Sequence, residues 1–317
     1  MAGIFEDTAD LDELAEALRS ADAGERRVAI LALADSGLPD AVPLLVAAAR
    51  DADAGIRLQA AIALGSFDGV EAADALTKAL ADADPAVARA AAESLAELKD
   101  PRNVDVILPF VAHPSTFVKE AALRALKELR QPEALKPALD AMRDPNAVVR
   151  IQAVGVIGFL KLEESVPALR SAASDSDATV RRAAINALAF SQAPSSSEAI
   201  ARALGDVDWP VREGAAEALG RSRGGASAKD ALVARLEDEF WQVRLKAIRS
   251  LAALKVRAAA LAIAQSLTHP EPNMRKEAAA ALGELKASEA RAHLERAADD
   301  IDADVRKNVR WALSQLG

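Results

Sequence analysis

The 317-residue chain contains no cysteine. That excludes a disulfide framework, a thiolate metal site and a cysteine nucleophile together. Tyrosine is also absent, and aromatic residues make up only 3% of the sequence. Histidine occurs three times, as His113, His269 and His293, and none is followed by glutamate. HExxH, P-loop and GxGxxG patterns are missing too, so neither a metal nor a cofactor is expected. No apolar run approaches the length of a membrane span. The opening residues, Met1 to Asp7, lack a basic stretch followed by an apolar core, so the expectation is a soluble, cytoplasmic protein. Basic residues number 39 against 48 acidic ones, a net charge of -9. That balance disfavours a general nucleic-acid binder, because phosphate contact needs a basic surface or stripe.

What is present is alanine, leucine and valine, repeated in a fixed rhythm. Apolar residues reach 51%, a composition suited to closely packed helices. A slot holding arginine in most copies falls at residues 26, 57, 88, 119, 150, 181, 212, 244, 275 and 306. Every step is 31 residues except that from 212 to 244, which is 32. A period of this length marks one supersecondary unit stacked many times, so residues 1–317 are expected to form a single solenoid domain.

The stretch Pro39 to Gly65 shows the plan of one unit. Asp40 reads as a cap for a first helix from Ala41 to Arg50, with Pro43 in its first turn. Asp51-Ala52-Asp53 reads as a turn, Ala54 to Leu64 as a second helix, and Gly65 as its stop. Asp84-Pro85 and Glu271-Pro272 repeat the acid-then-proline start. Ile56, Ala60 and Leu64 share one helical face, as do Val180, Ala184 and Leu188. The extra residue between 212 and 244 is placed in the loop Arg221 to Ser227, and Ser195-Ser196-Ser197 reads as a second loop. Thr8 to Ser20 and Lys307 to Gly317 read as polar first and last helices, suited to capping a repeat array.

Residues Asp175 to Leu188 and Asp206 to Gly220 resemble the HEAT-like repeat of the phycobilisome-lyase type. The resemblance extends over essentially the whole chain. It implies an all-α, right-handed solenoid of about ten helical hairpins with a 31-residue period. It also implies a ladder of Asp and Arg linking successive repeats. The residues in question are Asp51/Arg57, Asp144/Arg150, Asp175/Arg181, Asp206/Arg212, Asp238/Arg244 and Asp300/Arg306. In each pair the acid precedes the Arg by six residues. The pattern fails at Ser20/Arg26, Asp82/Ala88, His113/Lys119 and His269/Arg275, which makes the third and fourth repeats the expected compliant region. The His-Glu motifs of HEAT-repeat hydroxylases have no counterpart here. The acidic balance also separates the chain from HEAT-like DNA glycosylases.

A recognition surface must lie where the repeats differ. Positions one, two and five residues after the Arg slot escape the apolar stripe and vary from unit to unit. Among them Leu31, Leu58 and Ile62 form a candidate apolar patch, with Ile151 further along. Trp241, Leu245 and Arg249 share a helical face, and Trp209 holds the Trp241 slot one repeat earlier. Tryptophan beside arginine is the composition of interaction hot spots. Packing over the inter-helix turns is the competing reading for both tryptophans. The function expected is a non-catalytic scaffold that grips a protein or peptide on its concave face, in a role such as assembly or maturation of a partner enzyme. The alternative is a lyase or chromophore-handling enzyme related to bilin lyases, and nucleic-acid binding comes third.

Overall fold

An acid in front of each second helix is the recurring local signal, and the computed structural model, which describes residues 11–316, shows how it acts. Asp53 accepts the Ile56 N–H at 3.1 Å, Asp84 the Ala86 N–H at 2.7 Å and Asp302 the Val305 N–H at 3.0 Å. Each bond satisfies a donor that a helix N-terminus leaves open. Pro85 and Pro272 occupy the first helical position, where a missing N–H costs nothing.

Among the described residues every regular element is an α-helix or a short 3-10 turn. The chain divides into two compact units, residues 1–160 and 161–317. In the first unit the second helices are α1 (Ala23–Ser36), α2 (Ala54–Leu64), α3 (Pro85–Glu97), α4 (Thr116–Leu129) and α5 (Ala147–Leu160). In the second unit they are α6 (Ala178–Leu188), α7 (Trp209–Arg221), α8 (Trp241–Ala253), α9 (Pro272–Glu284) and α10 (Ala303–Gln315). Within each unit, consecutive second helices pack side by side, with shorter first helices as a second layer. Ile56, Ala60 and Leu64 are wholly buried, as are Ala184 and Leu188. The alanine in the middle of the stripe lets the neighbouring helix approach.

Several local expectations change. Asp40 does not cap the first helix of its unit; that role falls to a 3-10 turn, Pro39–Ala41, leading into the helix Val42–Ala48. Gly65 does follow the last residue of α2 as its C-cap, but at φ -63° rather than in the left-handed region. A β-carbon there would stand 2.8 Å from Ser94 Cβ, so this glycine serves close packing between α2 and α3. Ser195, Ser196 and Ser197 are not a loop. They lie in the helix Pro194–Ala203, and Ser196 and Ser197 are buried. Their hydroxyls are small enough to pack, and Pro194 starts the helix. The first helix runs Leu11–Ala17. Residues 8–10 and Gly317, part of the expected terminal helices, lie outside the described residues.

The ends of the second helices carry a repeating backbone feature. Arg130, Lys161, Lys255 and Lys286 all have positive φ, between 50° and 56°. At Lys255 and Lys286 the following N–H bonds back to Leu251 and Leu282, the double closure that ends a helix in a left-handed residue. Glycine is the usual occupant; here a basic side chain takes the place, next to the negative end of the helix dipole.

Candidate functional site

The Arg slot is the most regular polar feature of both units, and one geometry recurs in several of its copies. Arg57 donates from Nη1 to the main-chain carbonyls of Asp51 and Ala52, at 2.9 and 3.1 Å, which fastens the turn of its own repeat. Its Nε and Nη2 then reach forward and donate to both oxygens of Asp82, at 2.7 and 2.8 Å. The Asp six residues earlier is therefore not the carboxylate partner. Asp51 instead accepts from Arg26 Nη2 at 3.1 Å, and from the Asp53 N–H at 2.8 Å. Each rung joins one repeat's Arg to the next repeat's Asp.

In the second unit, Arg181 holds Asp206, Arg212 holds Asp238 and Arg275 holds Asp300, all through two parallel bonds of 2.7 to 3.0 Å. Arg150 in the first unit and Arg306 in the second bond the carbonyls of their own turns, Asp144 and Asp300, at 2.9 and 2.6 Å. Asp175 accepts the Asp177 N–H at 2.8 Å. Arg212 and Asp238 are the most buried pair, with side chains 8% and 2% exposed. The hydrogen bonds from Arg57 and Arg275 hold Asp82 and Asp300 below the usual carboxylate range. At Asp144, Asp206 and Asp238 burial pushes the other way. Bonds from Lys119, Arg181 and Arg212, with those from the turn N–H groups, outweigh it.

Three rungs depart from this pattern. Lys119 reaches Asp144 through one bond of 2.6 Å. Between the third and fourth repeats the rung is missing from both sides: Ala88 has no donor, and His113 stands in the acceptor's place. His113 Nδ1 accepts the Ser115 N–H at 3.1 Å instead. In the second unit Arg244 Nη2 meets His269 Nε2 at 2.8 Å, while the Glu271 N–H approaches Nδ1 at 3.0 Å. A neutral imidazole has only one acceptor nitrogen, so one of these two donors faces a ring N–H. Arg244 Nε is buried without a partner, because imidazole lacks the second oxygen that aspartate supplies. Burial, and then the charge of Arg244, depress the His269 pKa.

The non-repeating face of the second helices differs between the two units. On α1 and α2, Val28, Leu31 and Ile62 are 66%, 50% and 51% exposed, and Leu58 is half-buried beside them. Val28 and Leu31 are one turn apart on α1, and Leu31 and Ile62 hold equivalent places on packed helices. Arg27 and Arg89 flank Leu58 in the same row, and neither makes an ion pair with a described residue. Ile151, on α5, is half-buried. Not every position of this face is open: Ala90, Ala121 and Gly214 are buried between helices. Those small residues let the helices close over them.

In the second unit this face carries ion pairs from α6 to α9, whereas on α10 Trp311, in the slot equivalent to Leu31 and Ile62, is 42% exposed. Arg182 lies 3.7 Å from Glu213, Lys246 3.0 Å from Glu217 and Arg249 2.7 Å from Glu277, each pair joining adjacent repeats. Arg249 is thus engaged within the chain, and Leu245 is half-buried. Trp209 does not pair with Trp241. It stacks on Phe240 at 5.3 Å between centroids, and Phe240 in turn lies under the Arg212 guanidinium at 5.7 Å. This stack shields the buried Arg212–Asp238 rung. Sequence reasoning passed over Phe240, although it breaks a pattern: it occupies the cap position that Asp53, Asp84 and Asp302 hold elsewhere.

The sequence matches the family of HEAT repeats over residues 11–93, 74–145, 135–220 and 229–314. The chain belongs to the HEAT-repeat family. A search of curated proteins finds no match. Among solved structures, YibA of Escherichia coli is similar at 19% identity, with 84% of this chain and 98% of that chain covered and a TM-score of 0.63. An engineered protein shares 19% identity over 97% of this chain and 98% of its own, with a TM-score of 0.51. Kap95p, solved with RanGDP, is similar at 13% identity and a TM-score of 0.66; 96% of this chain matches 50% of that one. At these identities the likeness concerns the HEAT fold alone. Among the described residues no helix is long and apolar enough to cross a membrane.

Proposed function

We propose that this HEAT-repeat chain is a non-catalytic scaffold, and that it holds a protein or peptide partner against the second helices of its N-terminal repeats. The observation that carries this reading is the aligned exposure of Val28, Leu31 and Ile62, on a face that ion pairs bridge from α6 to α9 in the second unit. Adjacent exposed apolar side chains are the anchors that partner binding buries, whereas single exposed ones are ordinary. The recurring carboxylates, which could otherwise suggest acid–base chemistry, are engaged in rungs and caps. The 31-residue step supports placing the repeats in the compact phycobilisome-lyase type. A role in assembling a partner enzyme is the natural specialisation of such a scaffold. Kap95p, which is solved bound to RanGDP, shows the same fold in a protein-binding role.

The test is affinity capture from the native source with wild-type protein and with the double variant Leu31→Glu/Ile62→Glu. Both positions are about half exposed, so thermal unfolding should hardly change. A protein retained by the wild type and lost by the variant is the expected result. Retention by both forms would remove this face from the function.

A further inference from the structure

The first helices of the N-terminal unit leave a cleft of about 590 Å³ between the segment Leu108–Ala112 and the helix Leu135–Ala141. Ligand pockets typically measure about 300–1,000 Å³. Its walls include Leu108 and Pro137, both half-buried, and Pro109, which is exposed. Two clefts against ladder residues in the second unit, at Arg181–Asp206 and at Asp300, measure only about 240 and 290 Å³. The larger cleft lies at the one rung in which lysine replaces arginine.

The charges of the lining do not cancel. Asp144 receives its bond from Lys119 at 2.6 Å, and Asp140 lies 3.7 Å from Arg143. Lys136 is exposed and makes no ion pair with a described residue. An ammonium carries three donors, and Lys119 gives one of them to Asp144. The cleft therefore sets a surplus cation and unused N–H donors beside an apolar wall.

We propose that this cleft binds an apolar monocarboxylate. Its hydrocarbon would lie against Leu108, Pro109 and Pro137, and its carboxylate on Lys136 with help from Lys119. The same chemistry is found in a free fatty acid and in a chain's C-terminal leucine. The site is on the first helices, so it stands or falls separately from the partner face on α1 and α2.

The test titrates the full chain with decanoate, decanol and decylammonium while amide chemical shifts are followed. In a second arm it is titrated with a short peptide ending in leucine, as free acid and as amide. Saturable decanoate shifts confined to residues 108–112 and 135–144 are expected, with decylammonium the weakest ligand. Lys136→Gln should weaken decanoate about tenfold and Lys136→Arg should restore it, the loss expected for one charge-assisted hydrogen bond. Tighter binding of the free-acid peptide would assign the source to a chain terminus; tighter binding of decanoate would assign it to a fatty acid. Equal binding of decanoate and decylammonium, an unaltered Lys136→Gln variant, or shifts mapping to residues 27–31 and 58–62 would overturn the proposal.

Discussion

At the scale of single residues, two positions hold side chains that their geometry does not favour. Lys255 sits at φ 56° after α8, where a β-carbon is strained and glycine is not. Lys255→Gly should raise stability by about 0.5–1 kcal/mol in urea denaturation, because relief of strain exceeds the entropy that glycine adds to the unfolded chain. A loss of stability would mean that the basic charge at the helix end outweighs the backbone. His269 stands where other rungs have aspartate. Its pKa is lower in the folded protein than in the unfolded chain, so folding disfavours the proton. Stability from this group is full above the unfolded value of about 6.5 and is lost as pH falls through the lower folded value. His269→Asp should stabilise the protein by giving Arg244 a second acceptor, and the gain should be larger at pH 6 than at pH 8. An equal gain at both values would show that the imidazole proton is irrelevant to the rung.

At the scale of elements, the joint between α3 and α4 is the one that lacks both halves of its fastening. Ala88→Arg with His113→Asp should rebuild it. The double variant should exceed the sum of the single changes by about 1–2 kcal/mol in denaturant unfolding. Additive effects would show that this joint cannot adopt the geometry of Arg57 and Asp82. Much at this scale was legible from residue order. The bounds of α2 follow from Asp53 before it and the Ile56–Ala60–Leu64 stripe within it. The helix Pro194–Ala203 was not legible, because three serines carry a loop's composition and only tertiary packing buries two of them. The packing role of Gly65 was hidden for a related reason: a glycine that only ends a helix and one that also packs between helices look alike until the neighbour, Ser94, is known.

At the scale of the whole molecule, a fixed period conceals which repeat a partner belongs to. Counted from Arg57, Asp51 lies six residues back and Asp82 lies 25 ahead, and those offsets sum to the repeat length. Sequence spacing alone fits both partners equally, and only the fold assigns Asp82. The apolar face was readable at Leu31 and Ile62 because they break the repeat. The ion pair that engages Arg249 was not, because Glu277 is 28 residues away on a neighbouring helix. Stability of stacked repeats is close to a sum of unit and nearest-neighbour terms, so a rung acts as part of the coupling between neighbours. The most direct test of that claim is a pair of double-mutant cycles, read by denaturant unfolding, that combine Arg57→Ala with Asp82→Ala and with Asp51→Ala. Coupling of about 1–3 kcal/mol to Asp82 and near zero to Asp51 is predicted; coupling to Asp51 that equals or exceeds that to Asp82 would contradict a ladder that runs between repeats.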